Sequence, residues 1–152
     1  DKSHSLGRDR LLASSMGGAI GPIYGLFFAG IGAGLKDTEQ VDAGILAASM
    51  ALAVRKLMRV AKVQPGEKTI VDAMLPACEA MRVAECSSLA KAVQSACAAA
   101  EEGAQKTITM QATKGRARFL KEKSIGYRDA GASSFALYMA ALRDAVAEAE
   151  KE

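Results

Sequence analysis

Apolar residues recur every three or four positions through most of this chain, and that spacing limits its fold more than any other feature. Four segments carry such a stripe, separated by short stretches rich in glycine, proline, serine or charged residues. The stripes are Leu46, Met50, Ala53, Leu57, Val60; Ile70, Met74, Ala77, Met81, Ala84; Leu89, Val93, Ala96, Ala100, Ala104, Ile108; and Phe135, Tyr138, Leu142, Val146, Ala149. Alanine is abundant and β-branched runs are scarce, which favours helices over sheet. An all-α fold is therefore predicted.

The segment lengths predict a bundle of five or six antiparallel helices joined by short loops. Asp37 and Thr38 are predicted to cap the helix that ends near Ala61, and Ser87 and Ser88 to cap the long helix of the third stripe. With 152 residues the chain suits one domain with a substantial core.

Charge and cysteine content argue against several classes of protein. The net charge is only +3, and the cations do not follow one helix among aromatic residues, so nucleic-acid binding is not predicted. Cys78, Cys86 and Cys97 show neither CxxC spacing nor nearby histidines, which argues against a zinc site and a disulfide framework. Cysteines of this kind fit a reducing cytoplasm.

Residues 13–35 form an uncharged stretch of 23 residues, which is long enough to raise the question of a membrane span. Seven glycines and Pro22 interrupt it, so a span is not expected. We predict a short helix ending near Met16, a tight turn at residues 17–21, and a buried helix with Pro22 at its first position. The glycines either let backbone N–H groups cradle a phosphate or allow close helix packing, and the sequence leaves both open.

Residues 114–131, called the basic segment below, carry the densest positive charge of the chain. The cations are Lys114, Arg116, Arg118, Lys121, Lys123 and Arg128, against two acids, Glu122 and Asp129. The guanidinium group of arginine can donate two parallel hydrogen bonds to phosphate oxygens, and a helix starts directly after the segment. An anion site is therefore one interpretation. A solvated surface loop is the other.

Asp72 is unusual because it lies among apolar residues in the first turn of the second striped helix. Two interpretations apply. Its carboxylate either complements the helix dipole or orients a neighbouring loop.

Three of these regions closely resemble one family. The runs GGAIGPIYGLFF at residues 17–28, PGEKTIVDAMLPACEA at residues 65–80 and TITMQATKGRARFLKEKSIGYRDAGASS at residues 107–134 resemble the nucleotide-binding subunit, or DhaL domain, of dihydroxyacetone kinases. The order and spacing match over nearly the whole chain after the first ten residues. The resemblance implies a barrel of antiparallel helices, with residues 1–152 forming one nucleotide-binding domain that holds ATP or ADP at one end.

The resemblance also implies which residues contact the nucleotide. Its glycine-rich turn would wrap the phosphates, Ile70 would pack on the base, Arg116 would bind phosphate, and the loop at residues 115–131 would act as a lid. Ile20 stands where family members often carry Ser or Thr, and Ala61 stands where they carry a glycine. Ala130 replaces the proline of a DPG turn, so a looser lid is expected. The full predicted set is Gly17, Gly18, Ala19, Ile20, Gly21, Ala61, Thr69, Ile70, Arg116, Asp129, Ala130 and Gly131.

Magnesium is the main departure from the family pattern. The family binds Mg2+ through aspartates of a GDxDHG-like motif that precedes the first run, and this sequence has none. We therefore expect the ligands upstream of this chain, as the C-terminal portion of a longer protein; a degenerate homologue that has lost metal binding is the alternative. Phosphoryl transfer depends on such ions, so residues 1–152 alone are not expected to support turnover.

The function that the resemblance implies is that of a kinase subunit. A phosphoryl group would pass from ATP, or from an ADP recharged by a phosphocarrier protein, to dihydroxyacetone held on a partner subunit. Two alternatives remain: a non-catalytic, nucleotide-dependent adaptor or regulatory module, and a kinase of the same type for another short keto-sugar. Neither nucleic acid nor a membrane is expected as a partner.

Overall fold

The computed structural model of the chain describes residues 20–151. Five α-helices occur there: α1 Ile20–Gly34, α2 Ala43–Ala61, α3 Val71–Val83, α4 Leu89–Lys106 and α5 Ala130–Ala149. Two 3-10 helices, Thr107–Thr109 and Arg116–Ser124, lie between α4 and α5. The described part of the chain contains no strand, and the predicted all-α fold is confirmed.

Helix α1 begins earlier than predicted. Ile20 and Gly21 are its first two residues, so the predicted turn is wrong for them, and Pro22 is the third helical residue rather than the first. Proline is accepted there because N–H groups of the first turn have no partner within the helix. The remainder of the turn and the predicted helix near Met16 lie outside the described residues. Within residues 20–151, no helix is both long and apolar enough to cross a bilayer.

Each helix packs against the next one in the chain, and α3 also contacts α5. The connections from α1 to α4 are short, and consecutive helices run antiparallel, whereas residues 107–129 form a longer connection between α4 and α5. Aromatic side chains join the first helix to the last. Phe27 meets Phe135 edge to face with ring centroids 5.6 Å apart, and Phe28 meets Tyr138 at 5.4 Å. The bundle thus returns from α5 to α1 around a shared core.

The cap of α2 differs from the prediction, whereas that of α4 agrees with it. Asp42 precedes α2, and its carboxylate accepts a hydrogen bond of 2.8 Å from the N–H of Ile45. Asp37 instead has a left-handed φ of 64°, in the turn that follows α1. The prediction of Asp37 and Thr38 was wrong because a capping side chain must directly precede the first helical residue. Ser88 caps α4 as predicted.

The predicted apolar stripe of α2 fails at its last residue. Met50, Ala53 and Leu57 are buried, but Val60 is 55% exposed. Val63, which lies in the turn beyond the helix, is buried instead. The turn therefore covers the core where Val60 was expected to do so.

Helix α3 continues through Pro76, and the carbonyl that this proline leaves free lies against α4. Proline has no N–H to donate to the carbonyl four residues earlier, which is that of Asp72. A Cβ added to Gly103 of α4 would lie 2.3 Å from this oxygen and 3.1 Å from Cα of Ala73. Only a residue without Cβ allows α3 and α4 to approach this closely.

We expect the substitution Gly103→Ala to destabilise the fold because the new methyl group would force α3 and α4 apart. The cost of such overpacking is about 1–3 kcal/mol. Urea unfolding followed by circular dichroism measures it. Gly32→Ala is the matched control: apart from the neighbouring backbone of its own helix, no atom lies within 4 Å of its added Cβ. Alanine there should raise stability by roughly 0.5–1 kcal/mol through helix propensity. Equal effects of the two substitutions would contradict this explanation.

Candidate functional site

A cavity of about 760 Å³ lies at one end of the bundle. Its walls are the start of α1, the end of α2, residues 68–71, residues 114–118 and residues 129–131. This volume is within the range of sites for small ligands and cofactors. The antiparallel arrangement brings these segments together, because the starts of α1, α3 and α5 and the end of α2 share one end of the bundle.

Most of the residues predicted to bind nucleotide meet at this cavity. Those that line it are Ala61, Thr69, Ile70, Arg116, Asp129, Ala130 and Gly131. Ile20 and Gly21 belong to the first turn of α1, beside Pro22, which also lines the cavity. The predicted phosphate-turn residues Gly17, Gly18 and Ala19 lie outside the described residues. The second and third sequence motifs therefore share one cavity.

Asp72 holds the turn that carries Thr69 and Ile70. One carboxylate oxygen accepts a hydrogen bond of 2.7 Å from the N–H of Gly66, and the other accepts one of 2.9 Å from the N–H of Thr69. The interpretation that Asp72 orients the neighbouring loop is confirmed. It also lies in the first turn of α3, where a carboxylate complements the helix dipole.

The start of α5 lies directly against this turn. Asp129 caps α5, with its carboxylate accepting a hydrogen bond of 2.8 Å from the N–H of Ala132. A Cβ added to Gly131 would lie 3.1 Å from Oδ2 of Asp129 and 3.2 Å from Cβ of Ile70. The absence of a side chain at Gly131 thus lets α5 begin beside Ile70. Ala130 and Gly131 are helical, so the segment that resembles a DPG turn forms a helix start here.

The basic segment divides into cations that line the cavity and cations that do not. Lys114, Arg116 and Arg118 line it, and Arg118 stacks over the exposed ring of Phe119, with 4.6 Å from its guanidinium carbon to the ring centroid. Arg128 instead donates two hydrogen bonds to the carboxylate of Glu101, of 2.7 Å and 3.1 Å. Lys121 and Lys123 are exposed away from the cavity walls. The anion-site interpretation is therefore restricted to the first three cations.

The sequence analysis missed Lys68. Its side chain is only 4% exposed, it lines the cavity, and its backbone has a left-handed φ of 62°. Burial lowers the pKa of its ammonium group, while the charge of Asp129 raises it. A lysine between Glu67 and Thr69 in a loop is typical of exposed surface. No local signal in the sequence marks it as buried.

The electrostatics of the cavity centre on Asp129. Burial raises the pKa of this carboxyl above its ordinary value of 3.8, and the charge of Asp72 raises it further, whereas the hydrogen bond from Ala132 and the charge of Lys68 lower it. The folded protein therefore binds this proton more tightly than the unfolded chain does. The resulting stability is fully present below pH 3.8 and is lost as the pH rises through the raised pKa.

The magnesium site that the resemblance implies is a cluster of aspartates. Across residues 20–151, no group of three or more His, Cys, Asp or Glu side chains could hold a metal ion. The described residues therefore do not fit a magnesium site of the kind that the family uses.

Asp129→Asn should keep the cap of α5 but abolish this pH dependence, because the amide oxygen still accepts a hydrogen bond and carries no charge. Asp129→Ala should lower stability by about 0.5–2 kcal/mol through loss of the cap. Thermal unfolding from pH 3 to pH 7 tests both. The stability of the wild type relative to Asp129→Asn should fall as the pH rises; a constant difference would show that Asp129 does not titrate in this way.

Two characterised proteins are similar in sequence to this chain. D-erythrulose kinase of Mycolicibacterium smegmatis is 39% identical over 136 residues, covering 88% of this chain and 23% of that protein. The ADP-binding subunit DhaL of the PEP-dependent dihydroxyacetone kinase of Escherichia coli is 38% identical over 135 residues, covering 86% of this chain and 64% of the subunit. The chain thus spans under a quarter of the first relative and under two thirds of the second.

A solved structure and a family model complete the comparison. The native crystal structure of the dihydroxyacetone kinase of C. freundii superposes with a TM-score of 0.65 at 22% identity, covering 90% of this chain and 22% of that one. This likeness concerns the fold. The model of the family described as DAK2 domain matches residues 8–144, which is most of the sequence. The resemblance in the sequence is confirmed, and the chain belongs to the DAK2 domain family.

Proposed function

We propose that this chain is the nucleotide-binding part of a kinase for short keto-sugars and that its cavity binds ADP or ATP. The observation that carries the proposal is the composition of the cavity walls. One part is apolar, formed by residues such as Leu57, Val63 and Ile70, and another carries Lys114 and Arg116. An adenine nucleotide has a flat apolar base at one end and a polyphosphate at the other, which matches this division.

The base would lie against the apolar wall. Ile70 is buried at the turn before α3, held in place by the hydrogen bonds of Asp72. Ala61 ends α2 and lines the same cavity as Ile70, and its small side chain leaves space there. These contacts would recognise the shape of the base through packing.

The phosphates would lie between the basic segment and the start of α1. The guanidinium of Arg116 can donate two parallel hydrogen bonds to phosphate oxygens, and Lys114 adds a point charge. Helix α1 begins beside the cavity, and its first-turn N–H groups have no partner within the helix, so they favour an anion. The expected contacts from Gly17, Gly18 and Ala19 remain part of this proposal.

The reaction proposed is transfer of a phosphoryl group to a keto-sugar hydroxyl. The relatives support two acceptors, since their names specify dihydroxyacetone for DhaL and erythrulose for the kinase of M. smegmatis. The acceptor would be held by a separate substrate-binding domain or subunit, and the donor would be ATP or an ADP recharged by a phosphocarrier protein. In a cytoplasmic complex of this kind, Arg116 and Lys114 would stabilise the charge of the transferred group.

Magnesium would neutralise phosphate oxygens in this reaction. Its ligands are proposed to come from outside the residues described here, because the cavity walls do not supply them. The basic segment would cover the phosphates and exclude water while the partner presents the acceptor.

Arg116→Ala is expected to weaken ADP binding without unfolding the protein, because Arg116 is exposed at the cavity wall. Loss of a hydrogen bond to a charged group costs about 1.5–3 kcal/mol, which corresponds to roughly 10-fold to 150-fold in Kd. Isothermal titration calorimetry with ADP in magnesium buffer gives this ratio. Circular dichroism spectra should be unchanged.

Arg55→Ala is the matched control for this measurement. Arg55 is exposed on α2 and lines no part of the cavity, so its loss removes the same charge at a different place. Its Kd for ADP should stay within about twofold of the wild type, as expected for a screened surface charge. Equal weakening by both substitutions would indicate a general charge effect, and no weakening by either would exclude Arg116 from the phosphate site.

A further inference from the structure

The ammonium group of Lys68 is buried and surrounded by backbone carbonyl oxygens. Its Nζ donates hydrogen bonds to the carbonyls of Thr107 at 2.8 Å, Met110 at 3.2 Å and Tyr127 at 2.5 Å. A lysine ammonium has three N–H donors, and all three are used here. Among the described residues, no carboxylate lies within ion-pair distance of this group.

These three carbonyls flank the basic segment: two precede it and the third lies near its end. Thr107 and Met110 lie just before it, after the end of α4, and Tyr127 lies near its other end, two residues before Asp129. The nitrogen of Lys68 therefore joins the points where the chain leaves the bundle and where it returns. The residues between them include Lys114, Arg116 and Arg118, which reach the cavity.

Neighbouring hydrogen bonds close the same junction. The N–H of Gly126 donates to the carbonyl of Ile108 at 2.7 Å, and the N–H of Asp129 donates to the hydroxyl of Thr107 at 2.8 Å. The N–H of Ala112 donates to the hydroxyl of Ser124 at 2.9 Å. Lys68 lies among these bonds. In the part of the chain that the structure describes, it is the only charged group that donates hydrogen bonds within this junction.

Three carbonyl oxygens that converge from different directions are best served by an ammonium group. The three N–H bonds of an ammonium point to the corners of a tetrahedron and can serve carbonyls from different directions, whereas a guanidinium directs its donors within one plane. The backbone of Lys68 is left-handed, a conformation that is unfavourable for a residue with Cβ. The surrounding structure must hold the residue in it.

We propose that Lys68 is a positioning residue of the nucleotide site: it clamps both ends of the basic segment and so keeps Arg116 directed at the cavity. The inference rests on the proposed function, in which Arg116 binds phosphate. Lys68 itself is not a phosphate ligand, although it lines the cavity between Glu67 and Thr69, because its three donors already have partners.

Lys68→Met tests the clamp, because methionine keeps an apolar side chain of similar length and has no donor. Two readouts are expected to change. The Kd for ADP should rise at least about tenfold, because a misplaced Arg116 loses its charged hydrogen bonds to phosphate. Amide hydrogen exchange at Gly126 and Asp129 should accelerate at least about tenfold without nucleotide, while exchange at Val93 in the core of α4 stays unchanged.

Lys91→Met is the matched control, since Lys91 is exposed on α4 and its ammonium has no hydrogen-bond partner within the described chain. It should change neither readout. Lys68→Arg should restore part of the protection of Gly126 and Asp129, because it keeps the charge and some donors. Unchanged exchange and unchanged ADP affinity in a folded Lys68→Met protein would overturn the proposal.

A double-mutant cycle separates positioning from direct contact. If Lys68 acts through the phosphate-binding cations, Lys68→Met should weaken ADP binding by less than about twofold in a background that carries both Lys114→Ala and Arg116→Ala. Additive losses would show that Lys68 contacts the nucleotide independently, and the positioning role would be wrong.

Two further outcomes are distinguishable. Wild-type protein that binds no ADP, yet shows accelerated exchange in Lys68→Met, would refute the proposed function and leave only the clamp. If Lys68→Met does not fold, Lys68→Arg decides: the amides of Gly126 and Asp129 should exchange faster than in the wild type, because a planar guanidinium cannot serve all three carbonyls. Equal exchange would overturn the clamp.

Discussion

Buried backbone N–H and C=O groups at helix ends and in the adjoining loops need hydrogen-bond partners, and one end of this bundle depends on meeting that requirement. The end of α4 and the starts of α3 and α5 converge there. Side chains supply the missing partners: Asp72 accepts from two N–H groups, Asp129 caps α5, and Lys68 donates to three carbonyls. The loops therefore have defined positions, and a cavity with a defined shape remains between them.

Small residues set how closely these elements approach. Gly103 allows α4 to reach the carbonyl that Pro76 leaves free on α3, and Gly131 allows α5 to begin beside Ile70. The aromatic contact of Phe27 with Phe135 brings α1 back to α5. The close helix contacts at the glycines and the larger aromatic side chains between α1 and α5 together place the start of α1 opposite the basic segment. The cavity is thus a consequence of how the helices pack, with its polar walls supplied by the loops.

The sequence predicted the helices well because their stripes and caps are local features. The Ser88 cap and the buried residues of α4 follow from adjacent residues alone. The cap of α2 was misplaced because several acids and a threonine precede that helix, and only the backbone conformation selects Asp42. Val60 was misassigned because burial in the last turn depends on a loop that spacing does not describe.

The candidate site could be predicted as a set of motifs but not as a network of contacts. Resemblance to the family identified Ile70, Arg116 and Gly131, which the fold brings to one cavity. It did not reveal that Arg128 is engaged by Glu101 or that Lys68 is buried. The ion pair of Arg128 and the burial of Lys68 both depend on residues distant in sequence. The local sequence around a lysine or arginine in a loop does not show whether its side chain is solvated or hydrogen-bonded within the fold.

Nucleotide binding at this cavity is tested most directly by amide chemical shifts of ¹⁵N-labelled protein titrated with ADP in magnesium buffer. Binding there predicts saturable shifts at Thr69, Ile70, Arg116 and Gly131, which line the cavity, and none at Glu79 or Lys91, which do not. Saturable shifts confined to residues away from the cavity, or no shifts at millimolar ADP, would contradict it.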